Sequence, residues 1–83
     1  MTEDEIMILL EAIERGDRRR TFDDGDVAFW LDVARHAQWN LDDALHAVTT
    51  HYAESKVWIM PADITAGIRA RRVTNPWVGT RWV

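Results

Sequence analysis

The sequence lacks cysteine, and its 83 residues include only two prolines, four glycines and one serine. The missing thiols exclude a disulfide framework, zinc sites with thiolate ligands and cysteine nucleophiles. A domain of this length buries about 60–65% of the surface that its unfolded chain exposes, which leaves room for one small core. We therefore expect a single small domain that folds without covalent cross-links.

Long apolar runs are also missing. None approaches the ~20 residues that a membrane-spanning helix needs. The first five residues are acidic instead of basic, which is not typical of a secretory signal. We expect a cytoplasmic protein that does not associate with membranes.

The charge of the chain is unevenly distributed. Ten Lys and Arg against fourteen Asp and Glu give a net charge of −4, which argues against a surface that binds nucleic acid over its whole area. Residues 1–43 carry 12 acidic and 5 basic side chains, whereas residues 44–83 carry 2 acidic and 5 basic ones. The N-terminal half is thus strongly acidic, and the C-terminal half is basic.

The first two predicted helices begin at recognisable N-caps. Thr2 and Glu5 have the spacing of a capping box, and Gly16 is expected to end the first helix as a left-handed C′ residue. Aspartates at 23–26 favour the start of a second helix that ends near Ala37, because negative charge stabilises a helix N-terminus.

The third and fourth predicted helices flank a stretch rich in β-branched and aromatic residues. Asn40 caps the third helix, and Pro61 suits the first position of the fourth. Residues 54–60 have no second strand with which to pair, so we expect an extended connector that inserts Trp58 into the core.

Apolar residues recur with helical spacing in all four segments. The residues expected to face the core are Ile6, Leu9, Leu10 and Ile13 in the first helix, Val27, Trp30, Leu31 and Ala34 in the second, Leu41, Ala44, Leu45, Val48 and Tyr52 in the third, and Ile64, Ile68 and Val73 in the fourth. Trp39 lies in the short link between the second and third helices. The expected fold is all-α: a compact four-helix domain over residues 1–73, with an extended connector before the fourth helix and an irregular, tryptophan-containing tail at 74–83.

Catalytic and metal-binding patterns are weak. His46 and His51 are five residues apart on the third helix, which separates them by about 140° instead of placing them on one face. Capping and helix-dipole stabilisation of about 0.3–1 kcal/mol each explain the acidic clusters at the helix starts. Ser55 belongs to no Ser–His–acid pattern, and no glycine-rich phosphate loop is present. We expect no enzyme, no cofactor and no metal site.

The candidate binding residues lie at the C-terminal end of the fourth helix and in the tail. Exposed indoles are typical anchors for a protein partner, and arginines steer a partner by charge. Two alternatives are that the arginines and indoles bind DNA, and that the tail folds over the helices to complete a small core. The partner-binding residues predicted here are Arg69, Arg71, Arg72, Trp77, Arg81 and Trp82.

A family pattern is carried by a tryptophan-containing helix, an alanine-rich helix that ends in His and Tyr, and a proline before a basic helix. Its residues are Trp30, 41–48, 51–53, Trp58, 60–64, Arg69 and Arg71. In these features the sequence resembles the N-terminal domain of phage replicative helicase loaders and inhibitors, and it is similar to short proteins of actinobacterial phages and prophages.

The resemblance implies a small helical domain that acts in DNA replication by protein contact inside a bacterial host cell. Its partner would be the replicative helicase or the initiator. The alternative functions are a small DNA-binding or regulatory protein that uses the basic end of the fourth helix, and a phage protein that inhibits a host target.

Overall fold

The computed structural model describes residues 1–73, and this part of the chain is all-α. Its helices are α1 (Glu3–Gly16), α2 (Asp24–His36), α3 (Leu41–Glu54) and α4 (Pro61–Val73). Residues 55–60 form neither helix nor strand, so the predicted all-α fold with a connector before α4 is confirmed. The predicted tail at 74–83 lies outside the described residues. None of the described helices is long and apolar enough to cross a membrane.

The predicted N-caps are confirmed for the first three helices. The Thr2 hydroxyl accepts a hydrogen bond of 3.2 Å from the backbone N–H of the third helical residue. Asp23 does the same for α2 at 2.8 Å, and Asn40 for α3 at 2.8 Å. At α1 and α2 the third helical residue also bonds back to the cap, so two of the helix's unpaired backbone donors are satisfied together.

α1 ends at Gly16 as predicted, but the prediction that Gly16 is left-handed is wrong. No glycine among the described residues has a positive φ, and the C-cap residue Asp17 is extended, with φ −141°. A Cβ built on Gly16 would lie 2.9 Å from a ring carbon of Tyr52. Glycine is needed here because a neighbouring ring lies against the backbone, not because the chain turns left-handed.

The core is formed where α3 packs against α1 and α4, and α1 packs against α2. The expected apolar faces are buried or half-buried, whereas the side chain of Val73 lies outside the described part. Ala47 is an additional buried residue, and a Cβ on Gly67 of α4 would lie only 2.9 Å from its Cβ. The buried apolar side chains are Ile6, Leu9, Leu10, Ile13, Trp30, Ala34, Trp39, Ala44, Ala47, Val48, Ile59, Ile64 and Ile68.

The tryptophans of the described part are not all in the core. Trp30 and Trp39 are buried edge to face with ring centroids 6.2 Å apart, and Trp39 Nε1 donates to Thr65 Oγ1 at 3.0 Å. The prediction that Trp58 enters the core is wrong, since 46% of it is exposed. Ile59 is fully buried in its place, because adjacent residues of a non-helical segment point in different directions.

Candidate functional site

Two of the predicted binding residues, Arg71 and Arg72, form ion pairs with aspartates at the start of α3. Arg71 Nη1 lies 3.3 Å from Asp42 Oδ2 and 3.1 Å from Asp43 Oδ1. Arg72 Nη2 lies 3.5 Å from Asp43 Oδ2. The two aspartates therefore do more than stabilise the start of α3, because they also offset the positive charge at the end of α4.

The remaining predicted site residues are not brought together in the described part of the chain. Arg69 is exposed on α4, while Trp77, Arg81 and Trp82 lie outside the described residues. DNA binding by this end of α4 stays a prediction, and the carboxylates beside Arg71 count against it because they repel phosphate.

A different cleft brings together three of the six large apolar side chains that are exposed in the described part of the chain. It has a volume of about 400 Å³ and lies between α2, the connector and the segment that precedes α2. Phe29, Trp58 and Met60 line it with exposed fractions of 58%, 46% and 52%. We call this cleft the aromatic groove; its other walls include Arg20, Phe22 and Trp30.

Arg20 holds the connector in place at the base of the aromatic groove. Its exposed fraction is only 8%, although the sequence places it in a polar link between α1 and α2. Its Nη1 donates a hydrogen bond to the carbonyl oxygen of Ile59, and Nη2 lies 3.9 Å from Met60 Sδ. A buried guanidinium thus joins two chain segments that are 39 residues apart.

The same guanidinium lies among three aromatic rings. Its central carbon is 5.0 Å from the ring centroid of Phe22, 5.8 Å from that of Trp30 and 5.0 Å from that of Trp58. Each contact is within the ~6 Å range of a cation–π interaction, which gains strength where water is excluded. Arg20 therefore fixes a buried ring and an exposed ring relative to each other.

Side chains of α3 give the connector further support. The hydroxyl oxygen of Tyr52 accepts from the backbone N–H of Ile59 at 3.1 Å. Nε2 of His51 lies 2.6 Å from the carbonyl oxygen of Val57, so it acts as the donor. These bonds flank Trp58 on both sides, and the exposed indole is therefore held by a fixed backbone.

An ion pair between Asp17 and Arg19 lines a second, open cleft of about 540 Å³, and Arg19 also lines the aromatic groove. Asp17 is buried and accepts bonds from Arg19 Nε and Nη2, both at 2.9 Å. The side-chain hydrogen bond from Arg19 lowers the pKa of the Asp17 carboxyl, and Asp17 raises the pKa of Arg19. The charge of Arg19 is thus balanced locally.

The site offers contact surfaces and no assembled metal centre. Within residues 1–73, no group of three His, Cys, Asp or Glu side chains is placed to hold a metal ion. The aromatic groove presents aromatic rings, a thioether and a hydrogen-bonded connector, which together suit the binding of apolar side chains.

Sequence reasoning missed the residues that form the aromatic groove. One signal was available, because Phe29 lies outside the apolar stripe of α2 and has Asp26 and Asp32 three residues to either side. A large apolar residue on a charged helix face has no core to join. Arg20 gave no such signal, since the residues that accept its hydrogen bonds, Ile59 and Met60, are 39 and 40 residues away.

Comparison with known proteins leaves the family of the chain open. No family model, curated protein or solved structure matches it at a significant level. The comparisons therefore lend no support to the resemblance to phage helicase loaders, which remains a proposal.

Proposed function

We propose that this protein acts by binding another protein and that the aromatic groove is its docking surface. The observation that supports the proposal most is the clustering of Phe29, Trp58 and Met60, each about half exposed, around one cleft. Clustered exposed apolar side chains mark interaction sites on soluble domains, and aromatic residues and methionine are enriched at interfaces.

The fixed geometry of the aromatic groove also supports this function. Arg20 contacts the Trp58 ring and bonds to the connector, so the indole is already ordered before any partner arrives. A preordered anchor loses less conformational entropy on binding, which leaves more of the contact energy for affinity. The mechanism is steric and electrostatic, with no chemical step.

The proposed partner is the replicative helicase or the initiator of a bacterium that carries the phage or prophage, and the support for this choice is the sequence resemblance. In the same proposal, Trp77 and Trp82 of the tail add anchors, and Arg69 steers the approach. The aromatic groove extends the predicted binding surface to the connector.

Binding to the purified helicase and the purified initiator tests the proposal. The groove variant Phe29→Ala/Trp58→Ala removes two exposed rings, and Met7→Ala/Ile8→Ala removes two apolar side chains of α1 that are also about half exposed. We expect wild type and the α1 variant to bind one of these proteins equally, and the groove variant to bind it about tenfold or more weakly.

Each contrary result has a separate meaning. Equal binding by the groove variant and wild type would show that the partner docks elsewhere, and Trp77→Ala/Trp82→Ala would then test the tail. Absence of binding by the wild type to either purified protein would show that the replication partner is wrong. Circular dichroism of each variant establishes that it remains helical.

A further inference from the structure

We infer that the aromatic groove binds a positively charged amphipathic segment of its partner, one with an apolar anchor flanked by Lys or Arg. The inference rests on the proposed protein-binding function and adds the chemistry of the bound segment. It follows from the charged side chains that border the groove and from which of them are ion-paired or buried.

The apolar requirement comes from the walls of the groove. Phe29 and Met60 both line a cleft of about 400 Å³, and the buried Trp30 forms part of its wall. This volume falls at the lower end of the ~300–1,000 Å³ range of ligand pockets. Apolar side chains from a helix or short peptide fill such a space, and they gain from the removal of ring surface from water.

The basic requirement comes from α2. Asp26 and Asp32 lie three residues before and after Phe29, so helical spacing places one acidic residue on each side of it along α2. Asp26 also lines the groove. Asp24, exposed in the first turn, adds a further negative charge at this end of the helix.

One of the two cations at the groove is ion-paired, and the other is buried. Among the described residues that line it, these cations are Arg19 and Arg20. Arg19 is paired with Asp17 through two bonds of 2.9 Å, and Arg20 is buried against a carbonyl oxygen and three rings. Among the described lining residues, the accessible charge without an ion-pair partner is therefore the carboxylate of Asp26.

The N-terminal dipole of α2 does not reverse this sign. A helix N-terminus attracts anions, but the N-terminus of α2 is already occupied by its own carboxylates. Asp23 accepts the N–H of Asp26, and Asp26 accepts the N–H of Asp23 in return. An incoming acidic segment would meet these carboxylates, whereas a basic segment would be attracted by them.

Two synthetic amphipathic peptides test the inference. They share the same apolar face and differ only in carrying Lys or Glu at every polar position. The full chain, labelled with nitrogen-15, is titrated with each peptide while the Phe29 amide and the Trp58 indole resonances are followed. We expect the Lys peptide to shift both resonances, to bind about tenfold or more tightly than the Glu peptide, and to weaken as salt rises.

Matched charge variants sharpen the test. Asp32→Asn removes one carboxylate beside Phe29, and Asp4→Asn removes one exposed carboxylate from the first turn of α1 with the same change in net charge. We expect Asp32→Asn to weaken the Lys peptide about two- to fivefold and Asp4→Asn to leave it unchanged, because close charges dominate over net charge in salt. Equal effects of the two variants would overturn the assignment of the charge to the groove.

The remaining outcomes separate this inference from the proposed function. Tighter or equal binding of the Glu peptide at the groove would overturn the basic partner and leave the groove as a docking surface. A Lys peptide that shifts no groove resonance, or that binds Phe29→Ala/Trp58→Ala as tightly as wild type, would also overturn the inference. Binding to the purified helicase and initiator decides the function independently of either peptide.

Discussion

The α3–α4 interface and the aromatic groove differ in which side chains they pair or bury and which they leave exposed. At the interface, Gly67 and Ala47 bring the two helices close together, and Arg71 is paired with Asp43. At the groove, Arg20 is buried among aromatic rings while Trp58 is left half exposed. The first region satisfies its charges internally, and the second leaves apolar surface in contact with water.

This contrast changes which part of the surface we expect to bind a partner. The sequence shows clustered arginines at the end of α4, and this cluster predicts a binding site there. The fold supplies Arg71 and Arg72 with carboxylates from α3, whereas residues 1–73 leave 58% of Phe29 exposed. Exposed apolar surface, and not unpaired positive charge, is the stronger indication of binding in the described part of the chain.

We expect the loss of the Arg20 side chain to destabilise the protein more than substitution of Gly67, Asp17 or Asp43. We expect Arg20→Ala to lower the free energy of unfolding by about 2–4 kcal/mol, because it eliminates three cation–π contacts and leaves the Ile59 carbonyl without its charged donor. Urea denaturation measures the loss.

Arg18→Ala is the matched control for Arg20→Ala. Arg18 is exposed, lies two residues away and carries the same charge. A surface substitution of this kind changes stability by about 0.5 kcal/mol or less. If both variants unfold at the same urea concentration, Arg20 does not organise the groove.

A methyl group at Gly67 should separate α3 from α4. The new Cβ would lie 2.9 Å from that of Ala47, which has no flexible end that can move aside. Although alanine is the better helix former, we expect Gly67→Ala to destabilise the fold by about 1–2 kcal/mol in thermal or urea unfolding.

Gly25→Ala is the control for that substitution. Gly25 lies in α2, and its added Cβ would meet only the side-chain Oδ1 of Asp23 at 3.3 Å. Because that oxygen also accepts the N–H of Asp26 as the cap of α2, strain on the cap offsets part of the gain in helix propensity, and we expect Gly25→Ala to change stability by about 0.5 kcal/mol or less. Stabilisation by both alanines would show that α3 and α4 are not in tight contact.

Local patterns explain why most of the fold is predictable from the sequence. The caps at Thr2, Asp23 and Asn40 act within three residues, and apolar faces follow from helical spacing. Gly16 shows where this reasoning fails, because its contact with Tyr52 joins two helices and leaves no local signature.

The candidate site was less predictable because it depends on contacts between distant residues. Arg20 and Ile59 are 39 residues apart, and the side on which Trp58 lies is decided by which neighbour enters the core. The pairing of Arg71 with Asp43 spans 28 residues. Each contact requires the helices to be assembled first, so composition and spacing do not reveal it.

The Asp17–Arg19 pair at the groove gives a prediction about pH. Because Arg19 lowers the Asp17 pKa, the ionised pair contributes stability above the ordinary carboxyl pKa of about 3.9, and this contribution is lost as the pH falls through the lowered value. We expect Asp17→Asn to unfold at a lower temperature than wild type at pH 7.

The difference between wild type and Asp17→Asn should shrink below about pH 4 and disappear in stronger acid. Thermal unfolding, followed by circular dichroism at pH values from about 2 to about 7, measures this difference. The range spans the ordinary pKa of a carboxyl group. A difference that stays constant over this range would mean that the pair acts through its shape and not through its charge.

The smallest effect is expected where the charges of α4 meet those of α3. Asp43 is only 18% exposed and contacts both Arg71 and Arg72, whereas Asp42 is 88% exposed and, among residues 1–73, forms an ion pair with Arg71 only. We expect Asp43→Asn to cost about 0.5–1 kcal/mol and Asp42→Asn to cost almost nothing, because water screens an exposed pair. The cost of Asp43→Asn should decline at high salt in urea titrations. A cost of Asp43→Asn as small as that of Asp42→Asn would show that α3 does not hold Arg71 and Arg72. The end of α4 would then be a second candidate binding surface, in addition to the aromatic groove.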